Sequence, residues 1–295
     1  MLKRVLFALA AMLFVANVSF AGLTTYELVG SVPSKDHESV VNNVKSVLSK
    51  DFKVVATANP AADKKLTVLV LENKAFFDAV DKTGKYAFFA VPLRVGVQQD
   101  GNVNKIMFTN PYYVACAFGK GKSKLLNAAN KVKKLLEADL SKVANLKADK
   151  KEFGYSTDED EIGDWQMMGQ SLYTMSRLGS KKFKSIDEAV KAVNASLAKK
   201  TNGWTKIYEV KLAKAVVIGV SNTDFEKEAF QIGGYDHLCA FPIEIVIMDK
   251  GGVSAWALPE MYRMSLYFMD AGMGAFSAHM SMPGEIDSSL NGLLK

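Results

Sequence analysis

The chain repeats itself at long period, and that constrains its fold more than any other feature. Residues 91–103 read VPLRVGVQQDGNV and residues 241–253 read FPIEIVIMDKGGV. Pro92, Gly101 and Val103 meet identical residues at Pro242, Gly251 and Val253, 150 positions later. Leu93, Val95 and Val97 meet Ile243, Ile245 and Ile247. The offset is still 150 at Ala90/Ala240 and Phe118/Phe268, 149 at Val44/Val193 and Leu48/Leu197, and 148 at Pro111/Pro259. Chance likeness of two hairpins does not hold one register from Val44 to Phe118, so the pattern predicts a duplicated domain.

The local patterns agree between the halves. Residues 24–32 read as a strand. Residues 36–48 place Val40, Val41, Val44, Val47 and Leu48 on one helical face. In the second half Ser185 and Glu188 have capping-box spacing, and Ile186, Ala189, Val190, Val193 and Leu197 form the matching stripe. Strand-like runs follow at 52–57 and 66–71, matched by 204–210 and 215–220. The blocks opening at Pro92 and Pro242 alternate and then turn at Asp100-Gly101 and Gly251-Gly252, as hairpins do. A closing helix carries Leu125, Ala129, Val132 and Leu136; its shorter counterpart carries Ile286, Leu290, Leu293 and Leu294. The expected fold is therefore α+β: a tandem duplication of a two-layer β-α-β(4)-α domain, each antiparallel sheet covered by helices on one face. The expected boundaries are 22–140 and 183–295. Between them, 141–182 reads as a linker with an acidic run at 158–161 and an amphipathic helix over 165–173.

Residues 1–21, MLKRVLFALAAMLFVANVSFA, have the three parts of a secretory signal: a charged start at Lys3 and Arg4, an apolar run, and small residues before the cut. The run is short for a spanning helix, so the expected mature protein is periplasmic or secreted and keeps no membrane anchor. The formal net charge of +6 falls to +4 without Lys3 and Arg4, and the bases are interspersed with 31 acids, so nucleic acid is not an expected partner. Two cysteines in 295 residues cannot frame a disulfide scaffold. Cys116 and Cys239 each sit in an apolar stretch, where buried free thiols are the preferred reading over a pair.

Residues 92–114, PLRVGVQQDGNVNKIMFTNPYYV, resemble the domain-of-unknown-function 302 (DUF302) family through Pro92, Leu93, Asp100, Gly101, Asn110, Pro111 and Tyr112. The second half resembles it more loosely through Pro242, Gly251, Pro259 and Tyr262. The Gly-Asn-Pro segment that precedes this block in the family is replaced here by LENKAFFDAVDKTGKYAFFAV. The resemblance implies two tandem copies of an α+β fold of TATA-binding-protein-like architecture, and it brings no catalytic residues.

Motifs for chemistry are few. There is no CxxC, HExxH, EF-hand loop or phosphate-binding GxxxxGK[ST], and GKGKSK at 119–124 reads as a solvated turn. The leading expectation is an exported non-catalytic protein that binds a small ligand or an envelope protein. Its cleft would be lined by Tyr86, Phe88, Phe89 and Tyr235, with His237 beside them; on a strand, Tyr235, His237, Cys239 and Phe241 would share one face. A rival class is cuprous copper handling by His279, Met280 and Met282, whose soft ligands suit a soft ion, although methionine also fills cores. An enzyme with an unfamiliar active site is the third class.

Overall fold

The structure is a computed structural model describing residues 22–119, 121–164, 166–167, 170–171, 174–180 and 182–295. Residues 1–21, where a secretory signal is expected, lie outside the described residues. The chain opens with β1 (Leu23–Pro33) and α1 (His37–Leu48), whose first turn is capped by Asp36 accepting the Ser39 N–H at 2.9 Å. There follow β2 (Lys53–Ala58), β3 (Leu66–Glu72), α2 (Lys74–Thr83) and a 3₁₀ helix over Lys85–Ala90. The hairpin β4 (Leu93–Asp100) and β5 (Val103–Thr109) comes next, then α3 (Pro111–Gly119), α4 (Ser123–Leu140) and β6 (Lys147–Thr157). The strands pair antiparallel in the order β2-β3-β4-β5-β1-β6.

A short helix α5 (Glu159–Ile162) and a two-residue ladder of β7 (Gln166–Met167) with β8 (Gln170–Ser171) lead to β9 (Ser176–Arg177). The second half then runs α6 (Ile186–Ala198), β10 (Thr205–Lys211), β11 (Ala215–Ser221), α7 (Thr223–Gly233) and a 3₁₀ helix over Tyr235–Ala240. It ends with β12 (Ile243–Asp249), β13 (Val253–Ala257), α8 (Glu260–Phe268), α9 (Met273–Ser277) and α10 (Met282–Asn291). Its antiparallel sheet has the order β10-β11-β12-β13-β9. The molecule is an α+β protein with two large antiparallel sheets beside the β7–β8 ladder, and apart from β6 the elements recur in similar order in each half. Among the described residues no helix is long and apolar enough to cross a membrane.

Three expectations are corrected. Residues 141–182 are not simply a linker, because β6 joins the first sheet beside β1, with Phe153 stacked on Tyr26 at 5.3 Å. The lysines of β6 belong to an edge strand, where charge blocks further pairing. Most of the helix expected over 165–173 lies outside the described residues; 166–167 and 170–171, which are described, form the β7–β8 ladder. Tyr235–Phe241 is not a strand but a 3₁₀ helix up to Ala240.

That 3₁₀ helix follows α7, and its counterpart follows α2, two helices not foreseen in the sequence. Their ends match: Asn73 caps α2 by accepting the Phe76 N–H at 3.1 Å, and Asn222 caps α7 through the N–H groups of Asp224 and Phe225. Gly84 (φ 70°) and Gly234 (φ 75°) end them in the left-handed region that glycine occupies without strain.

Candidate functional site

Neighbours on β1 point to opposite faces, and Tyr26 and Glu27 show what each face does. Glu27 faces α4, where Lys133 Nζ lies 2.5 Å from its Oε1. Tyr26 faces the second half and donates its hydroxyl to the Tyr267 carbonyl at 3.0 Å. Beside it Thr25 and Tyr113 donate to the Leu266 carbonyl at 3.3 and 2.9 Å. First-half hydroxyls thus satisfy carbonyls in the last turn of α8, groups that a helix cannot pair itself.

The centre of this junction is ionic. Arg94 on β4 and Glu244 on β12 are ion-paired, with 1% and 3% of their side-chain surfaces exposed. Arg94 also donates to the Pro242 carbonyl at 3.0 Å and lies over the Tyr267 ring, 5.8 Å from its centroid. Burial raises the Glu244 carboxyl above its ordinary value, against the pull of Arg94. Burial disfavours the charge on Arg94 too, but the Glu244 carboxylate outweighs it and holds the guanidinium protonated. Next to this pair Arg263 grips Glu260 with two bonds of 2.8 and 2.6 Å and donates to the Ala240 carbonyl at 2.9 Å. Farther out, Glu226 on α7 accepts the Ala61 N–H at 2.7 Å. The Arg94–Glu244 and Glu226–Ala61 contacts join the halves, while Arg263 and Glu260 hold each other within the second half.

The sequence-nominated residues fall mostly into this packing. Phe88 and Phe89 are buried, and Phe89 packs against Phe118 with ring centroids 6.0 Å apart. Tyr86 lies under the Lys250 ammonium, 5.2 Å from its ring centroid, and Trp256 lies at the same distance. Tyr235 is exposed and meets the edge of Phe230. His237 is buried, stacked on Phe268 at 4.9 Å, with Nε2 2.9 Å from Asp270 Oδ1. Of the five, Phe88, Phe89 and His237 are buried and Tyr235 is exposed.

The copper candidates are separated by environment as well. His279 Nδ1 lies 2.9 Å from Glu228, Met280 is 64% exposed, and Met282 is 0% exposed within the core. Among the described residues no group of three His, Cys, Asp or Glu is placed to hold a metal ion. Cys116 and Cys239 are buried and unpaired, as preferred from the sequence, and burial pushes both thiols up to about 12.

An opening of a different kind lies on the helical face of the first half. A groove of about 1130 Å³ runs between α2 and α4. Lys82, Lys122, Lys124 and Lys131 line it and form no ion pair among the described residues, while Asp78 is paired to Lys74 at 2.7 Å. Residues 124, 128, 131 and 135 share one stripe of α4 at i, i+4, i+7 and i+11, which brings Lys124 and Lys131 to the groove together. The sequence reading passed over this site because its lysines come from segments some forty residues apart, and 119–124 alone reads as a solvated turn.

With the α+β class and this groove established, known proteins can be compared. No protein family matches the chain, and no curated protein matches it. Among solved structures, the chain is similar to the crystal structure of an uncharacterized conserved protein DUF302 from Bacillus stearothermophilus. The identity is 16% and the TM-score 0.35, covering 40% of this chain and 97% of that one.

Proposed function

We propose that this chain is an exported, non-catalytic binding protein built from two tandem DUF302-like repeats, and that its ligand seat is the α2–α4 groove. The observation that carries the reading is charge: four lysines with no acidic partner among the described residues face one trough, and Asp78 in its lining is already paired to Lys74. Such a trough attracts an anion. Export is inferred from the leader pattern at 1–21. Tandem origin is supported by the shared order of elements and by the caps Asn73/Gly84 and Asn222/Gly234, which fall 149 and 150 residues apart. A binding role is favoured over catalysis because the junction charges are committed to each other, whereas the groove's charges are free for a partner.

The test is isothermal titration of residues 22–295 with inorganic tripolyphosphate, comparing wild type with Lys82→Ala/Lys131→Ala. The expected result is binding that weakens steeply with salt and falls by about tenfold in the variant. Absence of binding, or equal affinity in both proteins, would refute this seat.

A further inference from the structure

We infer that the occupant of the groove is an acidic amphipathic helix from a protein partner, an inference that rests on the groove being the ligand seat. The floor and the rim differ in chemistry. The floor is apolar and shallow-sided: Ala75 and Ala79 stand one turn apart on α2, and Ala128, Val132 and Leu135 recur at i, i+4 and i+7 on α4. Alanine at these positions keeps the trough open where a longer side chain would close it, and packed helices approach to 8–10 Å only when the contact residues allow it. The rest of the lining, the rim, is polar: four lysines that form no ion pair among the described residues, with Asn73, Asp78, Thr83, Ser123 and Asn127 between them.

Dimensions and donor types select among anions. From Lys122 to Leu135 the trough follows α4 for about 20 Å, at 1.5 Å per residue. Its volume of about 1130 Å³ exceeds the few hundred to about 1,000 Å³ usual for small-molecule sites. No aromatic ring lines it, so nothing there stacks a nucleobase. No arginine lines it either, so there is no planar fork for a compact phosphate. Lys124 and Lys131 stand about 10 Å apart along the axis, a spacing that suits an extended anion better than a compact one. An elongated partner with an apolar stripe and carboxylates on its flanks meets floor and rim at once, as helices in grooves do.

The experiment uses residues 22–295 and three probes. The first is a labelled synthetic 18-residue peptide with Leu at i, i+4, i+7 and i+11 and Glu on the flanks. The second is a scrambled peptide of the same composition, and the third is inorganic tripolyphosphate. Affinities are measured for wild type, for the rim variant Lys82→Glu/Lys131→Glu, and for the floor variant Ala79→Leu/Ala128→Leu, each checked by circular dichroism. The patterned peptide should bind at least about tenfold tighter than the scrambled one, a difference of about 1.4 kcal/mol. The rim variant should lose both peptide and tripolyphosphate. The floor variant should lose the peptide by about tenfold while holding tripolyphosphate within about twofold. Equal binding of the two peptides, or a floor variant that binds the patterned peptide as wild type does, overturns the helix while tripolyphosphate binding still supports the seat. If tripolyphosphate does not bind wild type, the seat falls too, whatever the peptides do.

Discussion

The pair Arg94–Glu244 offers the most direct test of how the halves are joined. Both side chains are almost wholly buried, and Tyr208 adds its hydroxyl at 3.5 Å from Glu244 Oε1. Substituting Arg94→Met keeps apolar volume but leaves the Glu244 carboxylate buried without its counter-charge. Breaking one partner of a buried pair costs about 3–5 kcal/mol, a large share of a stability of about 5–15 kcal/mol. Burial already raises the Glu244 carboxyl, and removing Arg94 takes away the force opposing that rise. A carboxyl with a raised folded value contributes stability at low pH that is lost as pH increases, so the penalty of Arg94→Met should be larger at pH 8 than at pH 5. The double variant Arg94→Met/Glu244→Leu removes both charges and should lie within about 1–2 kcal/mol of wild type, because well-packed apolar replacements of buried pairs are close to neutral. Urea unfolding followed by tryptophan fluorescence, which reports Trp204 and Trp256 in the second half, completes the cycle alongside circular dichroism. An Arg94→Met penalty below about 1 kcal/mol, or a double variant as unstable as the sum of the singles, would refute the burial argument.

Two further predictions follow from the same packing. Burial raises Glu27 to about 7, against the pull of Lys133, and Asp287 to about 6. Their stabilising contribution is therefore complete below the ordinary carboxylate range and is lost as pH rises through 6–7. The melting temperature should fall between pH 5 and pH 8, and Glu27→Gln should flatten that fall by roughly 1–2 kcal/mol at the alkaline end; an unchanged slope refutes it. The Tyr208 ring lies directly over Gly219, where an added Cβ would overlap ring carbons. Gly219→Ala should cost about 1–3 kcal/mol in urea unfolding, whereas Gly274→Ala, which meets open space, should be near neutral; equal effects would show that the ring yields.

How much of this is visible in the sequence depends on whether a residue's meaning is local. The strands β3, β4, β11 and β12 are apolar runs with turn residues at their ends, and α1, α4 and α6 have clear stripes, so each reads at once. Helix α3, PYYVACAFG, is apolar all round and nearly all buried, so it has no period to detect. Helices α2 and α7 did carry a local signal, an asparagine cap and a terminal glycine at each, that periodicity alone overlooks. Phe88, Phe89 and His237 looked like ligand contacts because aromatics suit clefts and cores equally, and only the tertiary fold shows Phe89 packed on Phe118 and His237 on Phe268. The groove is the opposite case: single exposed lysines mean little, and they gain meaning only when α2 lies beside α4.

The junction also explains why the halves are joined in one chain. Positions 94 and 244 are counterparts in the 150-residue register, yet they touch each other. Contact between counterparts requires an approximate twofold relation, and the packing of β4 on Tyr235–Ala240, reciprocated by β12 on Lys85–Ala90, has the same form. Under such a relation two copies of the first half would set Arg94 against Arg94, and two copies of the second would set Glu244 against Glu244. Either arrangement buries like charges, which costs several kcal/mol. Gly96 sharpens the same choice, since a Cβ there would lie 2.7 Å from Cys239 Sγ, whereas its counterpart in the register is Val246. The two surfaces fit one another and not themselves. A covalent link that keeps first half facing second half is therefore what this pairing needs.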